Sequence, residues 1–126
     1  MIVSERIRDI REYKGFKARD LAKLAGVSPA EISRLESRNR DPRSDTLQRI
    51  AAALEVSVSF LLQEEDEEFD LPVAIRRQAL RKFQKTAALT DSQVTRLTAM
   101  CLLDSAPESV QEWKEFLENV VYYNSH

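Results

Sequence analysis

Between Gly26 and Arg43 the chain reads GVSPAEISRLESRNRDPR, and four arginines, Arg34, Arg38, Arg40 and Arg43, fall within its last ten residues. A guanidinium is a planar fork of donors that meets a phosphate, or the O6/N7 edge of guanine, with two parallel hydrogen bonds. A short helix followed by such a loop can lie in a groove of DNA. Catalytic chemistry has far less to draw on. The chain holds one histidine, His126, and one cysteine, Cys101. That leaves no His/Cys zinc site and no His-based triad, and no paired catalytic groups stand at workable spacing. Cys101 sits among apolar residues and is expected to be an inert buried thiol. A lone cysteine forms no internal disulfide and fits a reducing cytoplasm. The expectation is a non-enzymatic protein without metal or cofactor.

The arginines need elements to hold them, and the pattern is helical throughout. There are two glycines and four prolines, β-branched alternation is absent, and apolar residues recur at three and four. A first helix is expected from an N-cap at Ser4 to about Lys14, burying Val3, Ile7 and Ile10, with Gly15 stopping it. A second covers roughly Ala18 to Leu24, with Leu21 and Leu24 inward, and Gly26 turns the chain. Ser28-Pro-Ala-Glu31 is a capping box with proline at the first helical position, opening a third helix that buries Ile32 and Leu35. A fourth begins near Ser44 or Asp45 and buries Leu47, Ile50 and Leu54. A short fifth follows Ser57 and buries Val58, Leu61 and Leu62.

Residues 64–70 then carry six acids, which repel one another and form no core, so they read as a linker. Beyond it Asp70-Leu-Pro opens a helix to about Gln84 with Ile75, Leu80 and Phe83 inward. Thr90-Asp-Ser-Gln93 is a second capping box, leading to Val94, Leu97, Cys101 and Leu102. Pro107 begins the last helix, with a wide apolar stripe of Val110, Trp113, Leu117, Val120 and Val121, flanked by Phe116. The expected division is 1–63, linker 64–70 and 71–126, all α. Residues 1–62 hold twelve Lys/Arg against nine Asp/Glu, and residues 63–126 seven against twelve: a basic head and an acidic tail. No apolar run approaches the ~20 residues of a membrane span, and no leader is expected.

The order IR-x-x-R-x-x-x-G, D-L-A-x-x-A-G-V-S, IS-R-L-E, P, TL-x-x-IA-x-AL-x-V and FLL, from Ser4 to about Leu62, resembles the Cro/lambda-repressor-type (XRE) helix-turn-helix family. The resemblance implies a five-helix lambda-repressor-like DNA-binding domain followed by a small helical domain. It implies that the helix over 28–37 enters the major groove. The facing residues are then Ser28, Pro29, Ala30, Glu31, Ser33 and Arg34. Arg34 can read guanine, and Pro29 and Ala30 can meet only thymine methyls. Glu31 either accepts from cytosine or completes its cap. Arg38, Asn39, Arg40 and Arg43 fit phosphate clamping, with Arg43 able to approach a narrow minor groove. Relatives place Ser/Thr-Gln where this chain has Lys17 and Ala18, so Lys17 or Arg19 replaces a phosphate contact by charge. Arg11 and Glu36 match a structural salt-bridge pair. Where relatives have glycine this chain has Arg38, and Asn39 is expected to take the left-handed conformation.

Relatives bind paired half-sites as two-fold dimers, and the stripe of Val110, Trp113, Phe116, Leu117, Val120 and Val121 is the expected dimer surface. The stretch TDSQVTRL…APESVQEWKEFL is similar to the C-terminal region of small phage-type and DNA-damage-response repressors. In those a dedicated metallopeptidase cleaves this region and destroys the dimer, which would make this chain a substrate cut in Asp104–Ser109 or the helix before it. The expected function is a cytoplasmic, nucleoid-associated transcriptional regulator, a repressor, that binds a palindromic double-stranded operator as a homodimer. The alternative is a protein-interaction module, an antitoxin or adaptor, whose acidic half grips a partner.

Overall fold

Helix α1 (Ile2–Tyr13) begins two residues ahead of its expected cap, so Ser4 lies inside it with its side chain buried. Val3, Ile7 and Ile10 are its inward stripe, and Gly15, at φ 77, ends it. The computed structural model describes the backbone of residues 2–38, 42–64 and 69–125, and the side chains of 3–37, 42–64 and 69–119. Among them are eight α-helices and no strand. They fall into two compact units, Met1–Glu68 and Phe69–His126.

In the first unit α2 (Ala18–Ala25) buries Leu21, Ala22 and Ala25. Leu24, expected inward, is 59% exposed, because position 24 lies roughly 100° around the helix from the centre of that stripe. Helix α3 (Pro29–Arg38) buries Ile32 fully and Leu35 in part. Helix α4 (Ser44–Leu54) turns Leu47, Ile50, Ala51 and Leu54 inward. The one-and-a-half-turn α5 (Val58–Leu62) is capped by Ser57 Oγ, which accepts from the Phe60 N–H at 3.0 Å. Its buried residues are Phe60 and Leu61; Leu62 is exposed and Val58 half-buried, which corrects the expected trio. Helix α1 packs on α3, α4 and α5, and α2 on α3 and α4.

Arg6 accounts for the difference at α5. It is fully buried on α1, and its Nη1 and Nη2 donate to the carbonyls of Phe60 and Gln63, each at 3.0 Å. Its guanidinium lies 4.8 Å above the Phe60 ring centre. The carbonyl end of a helix carries partial negative charge and suits a cation. Phe60 must therefore face inward to meet Arg6.

Helix α4 stops at Glu55, which has φ 59 where a glycine is the usual occupant. A side chain in the left-handed region costs about 1–2 kcal/mol. Glu55→Gly is expected to stabilise this unit by about 1 kcal/mol and raise its melting temperature by roughly 4–8 °C. A thermal melt followed by circular dichroism checks this; an unchanged or lower midpoint would contradict it.

In the second unit Asp70 is the cap of α6 (Leu71–Gln84) rather than free linker, its Oδ1 accepting from the Val73 N–H at 3.2 Å. Helix α7 (Asp91–Met100) opens with the expected capping box, Thr90 N–H to Gln93 Oε1 at 2.8 Å and Gln93 N–H to Thr90 Oγ1 at 3.2 Å. It ends before Leu102, which falls in the following turn and is exposed. Helix α8 (Val110–Ser125) starts three residues beyond Pro107, with Ser109 Oγ accepting from the Glu112 N–H. Ala79, Leu80, Phe83, Leu97, Cys101 and Trp113 form the core. Trp113 is wholly buried, donates from Nε1 to the Arg76 carbonyl at 3.2 Å, and meets Phe116 edge-on at 6.1 Å.

Arg76, a cation by type, is buried beside this core. It donates to the carbonyls of Cys101 (3.2 Å) and Asp104 (3.4 Å) and lies 3.6 Å from a Glu108 carboxylate oxygen. One side chain thus holds the α7–α8 connection closed. Cys101 is buried as expected, and burial pushes its thiol above the usual range. The charge split also sharpens. Residues 69–126 hold seven Lys/Arg and seven Asp/Glu, so the acidity of the second half resides in residues 64–68.

Candidate nucleic-acid interface

Gly26 takes φ 71 at the end of α2, and Val27 N–H bonds back to the Ala22 carbonyl at 3.0 Å. Ser28 then caps α3: its N–H donates to Glu31 Oε2 at 3.3 Å, and Glu31 N–H donates to Ser28 Oγ at 3.2 Å. Of the two roles open to Glu31 the cap is therefore filled, and its side chain is half-buried. Ser28, Pro29, Ala30, Ser33 and Arg34 are exposed. The first turn of α3 presents small and apolar groups beside one guanidinium.

Arg34 and Arg43 line one groove of about 730 Å³ with Ser28, Glu31, Pro42, Asp45, Thr46 and Arg49. Arg49 lies outside the residues expected at the site. Its Nη1 donates to the Gly26 carbonyl at 3.5 Å, linking α4 to the turn that launches α3. The signal was its spacing: Asp45 and Arg49, four apart, share the polar face of α4. Three guanidinium groups and two carboxylates line this groove, and the excess of cations suits it to a phosphate chain.

Lys17 and Arg19 are exposed at the start of α2. Asp20 Oδ2 accepts from the Lys17 N–H at 2.9 Å, and a lysine side chain has no acceptor to return the bond. Its ammonium is left to solvent or a phosphate. Arg38 is the last residue of α3; its side chain, with Asn39 and Arg40, lies outside the described residues. Arg11 Nε and Glu36 Oε1 meet at 2.7 Å, with side chains only 15% and 11% exposed, and Arg11 Nη1 donates to the Phe16 carbonyl at 2.7 Å. This pair fastens α1 and the loop after it to α3, as the resemblance implied.

The apolar stripe of α8 has a largely internal destination. Trp113 is wholly buried, and Val110, Phe116 and Leu117 are partly buried against the same core. Three helices offer few large side chains to fill their centre, so the stripe fills it. The side chains of Val120 and Val121 lie outside the described residues.

A helix-turn-helix family model matches residues 7–61, most of α1 through α5. Residues 7–61 are a helix-turn-helix domain of the Cro/lambda-repressor type. The chain is similar to the HTH-type transcriptional regulator SinR of Bacillus licheniformis, 37% identical over 71 residues, or 55% of this chain and 64% of that protein. The chain thus spans somewhat under two thirds of that relative's length. It is similar across both units to the HTH-type transcriptional regulator DdrOP3 of Deinococcus deserti, 28% identical over 119 residues, 91% of this chain and 92% of that one. Among solved structures it is similar to a SinR/SinI protein complex, with a TM-score of 0.50 and 26% identity over the full length of both chains. No helix among the described residues is long and apolar enough to cross a membrane.

Proposed function

We propose that this helix-turn-helix protein is a sequence-specific transcriptional regulator, a repressor, that binds a palindromic DNA operator as a homodimer. The carrying observation is the exposed first turn of α3 beside a groove flanked by Arg34 and Arg43. Arg34 is the principal direct reader, suited to a guanine edge; Pro29 and Ala30 meet thymine methyls. Arg43, Lys17 and Arg19 hold the phosphate chain. Ser28 and Glu31 keep the helix start in place. Both names of the similar proteins, SinR and DdrOP3, carry the description of transcriptional regulator, and the second similarity extends through both units. That breadth weighs against an interaction module with an idle DNA-binding half.

Duplexes selected from a random pool test the proposal. Arg34→Ala should weaken binding to the selected site by about 1–3 kcal/mol and relax preference at one base pair per half-site. Arg43→Ala should weaken all sequences alike and reduce the salt slope by about one. No duplex binding at low salt, or an unchanged preference in Arg34→Ala, would sink the reading. Dimerisation is assigned to residues 69–126, and removing them after Glu64 should lower self-association in sedimentation.

One observation favours a protein contact on the second unit as well. Leu102 and Leu103, 64% and 54% exposed, lie in the α7–α8 connection. This is where a regulatory protein or a protease would gain purchase. Limited proteolysis should cut there before it cuts within α7 or α8.

A further inference from the structure

Five of the seven cations in residues 69–126 lie on or at the end of α6. Arg76 turns inward. Arg77, Arg81 and Lys85 follow at four-residue steps, and all three are exposed. Residues four apart on a helix stand on one face, about 6 Å further along the axis at each step. Among the described residues no carboxylate pairs with any of the three. Of the seven acids of this unit only Asp70, the cap at the opposite end, belongs to α6, while Glu108, Glu112, Glu115 and Glu118 belong to α8 and its approach. The unit is neutral in sum and divided by helix.

Resting on the DNA-binding reading above, we propose that Arg77, Arg81 and Lys85 form a second, sequence-independent DNA surface that grips phosphates. Three features favour a polyanion over a protein partner. The stripe has no exposed apolar side chain within it, whereas a protein interface needs an apolar or aromatic centre and is poor in lysine. DNA interfaces are polar and strongly positive. Residues 63–70 can span at most about 28 Å, so a reading helix on its site keeps α6 within reach of the same duplex. Cations near the end of a helix also complement its dipole, but that effect requires no shared face and does not extend to Arg77. The stripe further answers a problem set by the chain itself. Five consecutive acids in residues 64–68 repel the backbone that the first unit must approach, and a cationic helix directly after them offsets that repulsion.

The test is the salt dependence of binding to a mixed-sequence duplex by the full chain and by the triple variant R77Q/R81Q/K85Q. Each phosphate neutralised contributes about 0.9 to the slope of log K against log salt. The variant is therefore expected to lose about 2 to 3 of slope per protomer, with its selected site, circular dichroism and sedimentation unchanged. The charge-keeping pair R77K/R81K should retain the slope of the parent. A triple variant with the parent's slope overturns the proposal while leaving the DNA-binding reading intact. So does a loss of slope that tracks a change in oligomeric state, which would place the stripe between two copies of the chain. A parent chain that binds no duplex at any salt overturns the DNA-binding reading and this inference with it.

Discussion

Trp113→Ala is expected to unfold residues 69–126 while the helix-turn-helix half stays folded. The indole is wholly buried at the junction of α6, α7 and α8, touches Phe116 edge-on and donates to the Arg76 carbonyl. Truncating such a side chain costs about 3–5 kcal/mol. A unit of fewer than sixty residues has a stability of about 3–9 kcal/mol, so the loss is of the same order as the whole. The two units have separate cores, so the damage should stop at the first. Far-UV circular dichroism should lose the signal of α6–α8, and proteolysis should leave a resistant fragment ending near residue 64. Retention of full helicity with one cooperative melt would contradict this account.

The second large effect is expected at Arg11. Arg11→Ala removes the 2.7 Å ion pair with Glu36 and the bond to the Phe16 carbonyl, and leaves a mostly buried carboxylate without its guanidinium. A fully buried pair broken on one side costs about 3–5 kcal/mol. The 15% and 11% exposures let water relieve part of that, so about 2–3 kcal/mol is expected here. The first unit should melt roughly 10–20 °C lower. The double variant Arg11→Met/Glu36→Leu should recover part of the loss, since it strands no charge. If the single variant melts within a degree or two of the parent, the pair is ornamental.

These two positions mark what the sequence could and could not disclose. Arg11 and Glu36 were found because they occupy places in an ordered motif, and the helices themselves follow from apolar spacing and capping boxes. Periodicity tells that the stripe of Trp113 is buried and not against what, so a residue expected at a dimer surface lies in the core of its own unit. Arg6 and Arg76 are illegible in the sequence for a related reason. Each sits at helical spacing from neighbouring core residues, Arg6 beside Ile7 and Ile10, Arg76 in line with Ala79 and Phe83. A cation at such a place reads as solvated until carbonyl acceptors are brought to it from distant segments, as Phe60, Gln63 and Cys101 are. Leu24 and Leu62 fail in the opposite sense. They are apolar residues at helix positions that tertiary packing leaves outside. For Arg49 the sequence carries only its four-residue spacing from Asp45; the bond to the Gly26 carbonyl depends on where the turn lies against α4.

The reciprocal bonds between Ser28 and Glu31 bear on how such a protein can be retargeted. Two of the most forward positions of α3 are already engaged in starting the helix, and replacing a capping residue costs about 0.5–2 kcal/mol. A library that randomises 28 and 31 would discard many members for instability before their base preference was ever sampled. Ala30, Ser33 and Arg34 are exposed and hold no part of that cap. New operator preferences should therefore arise first at 30, 33 and 34, by selection as by design, with Ser28 and Glu31 inherited unchanged.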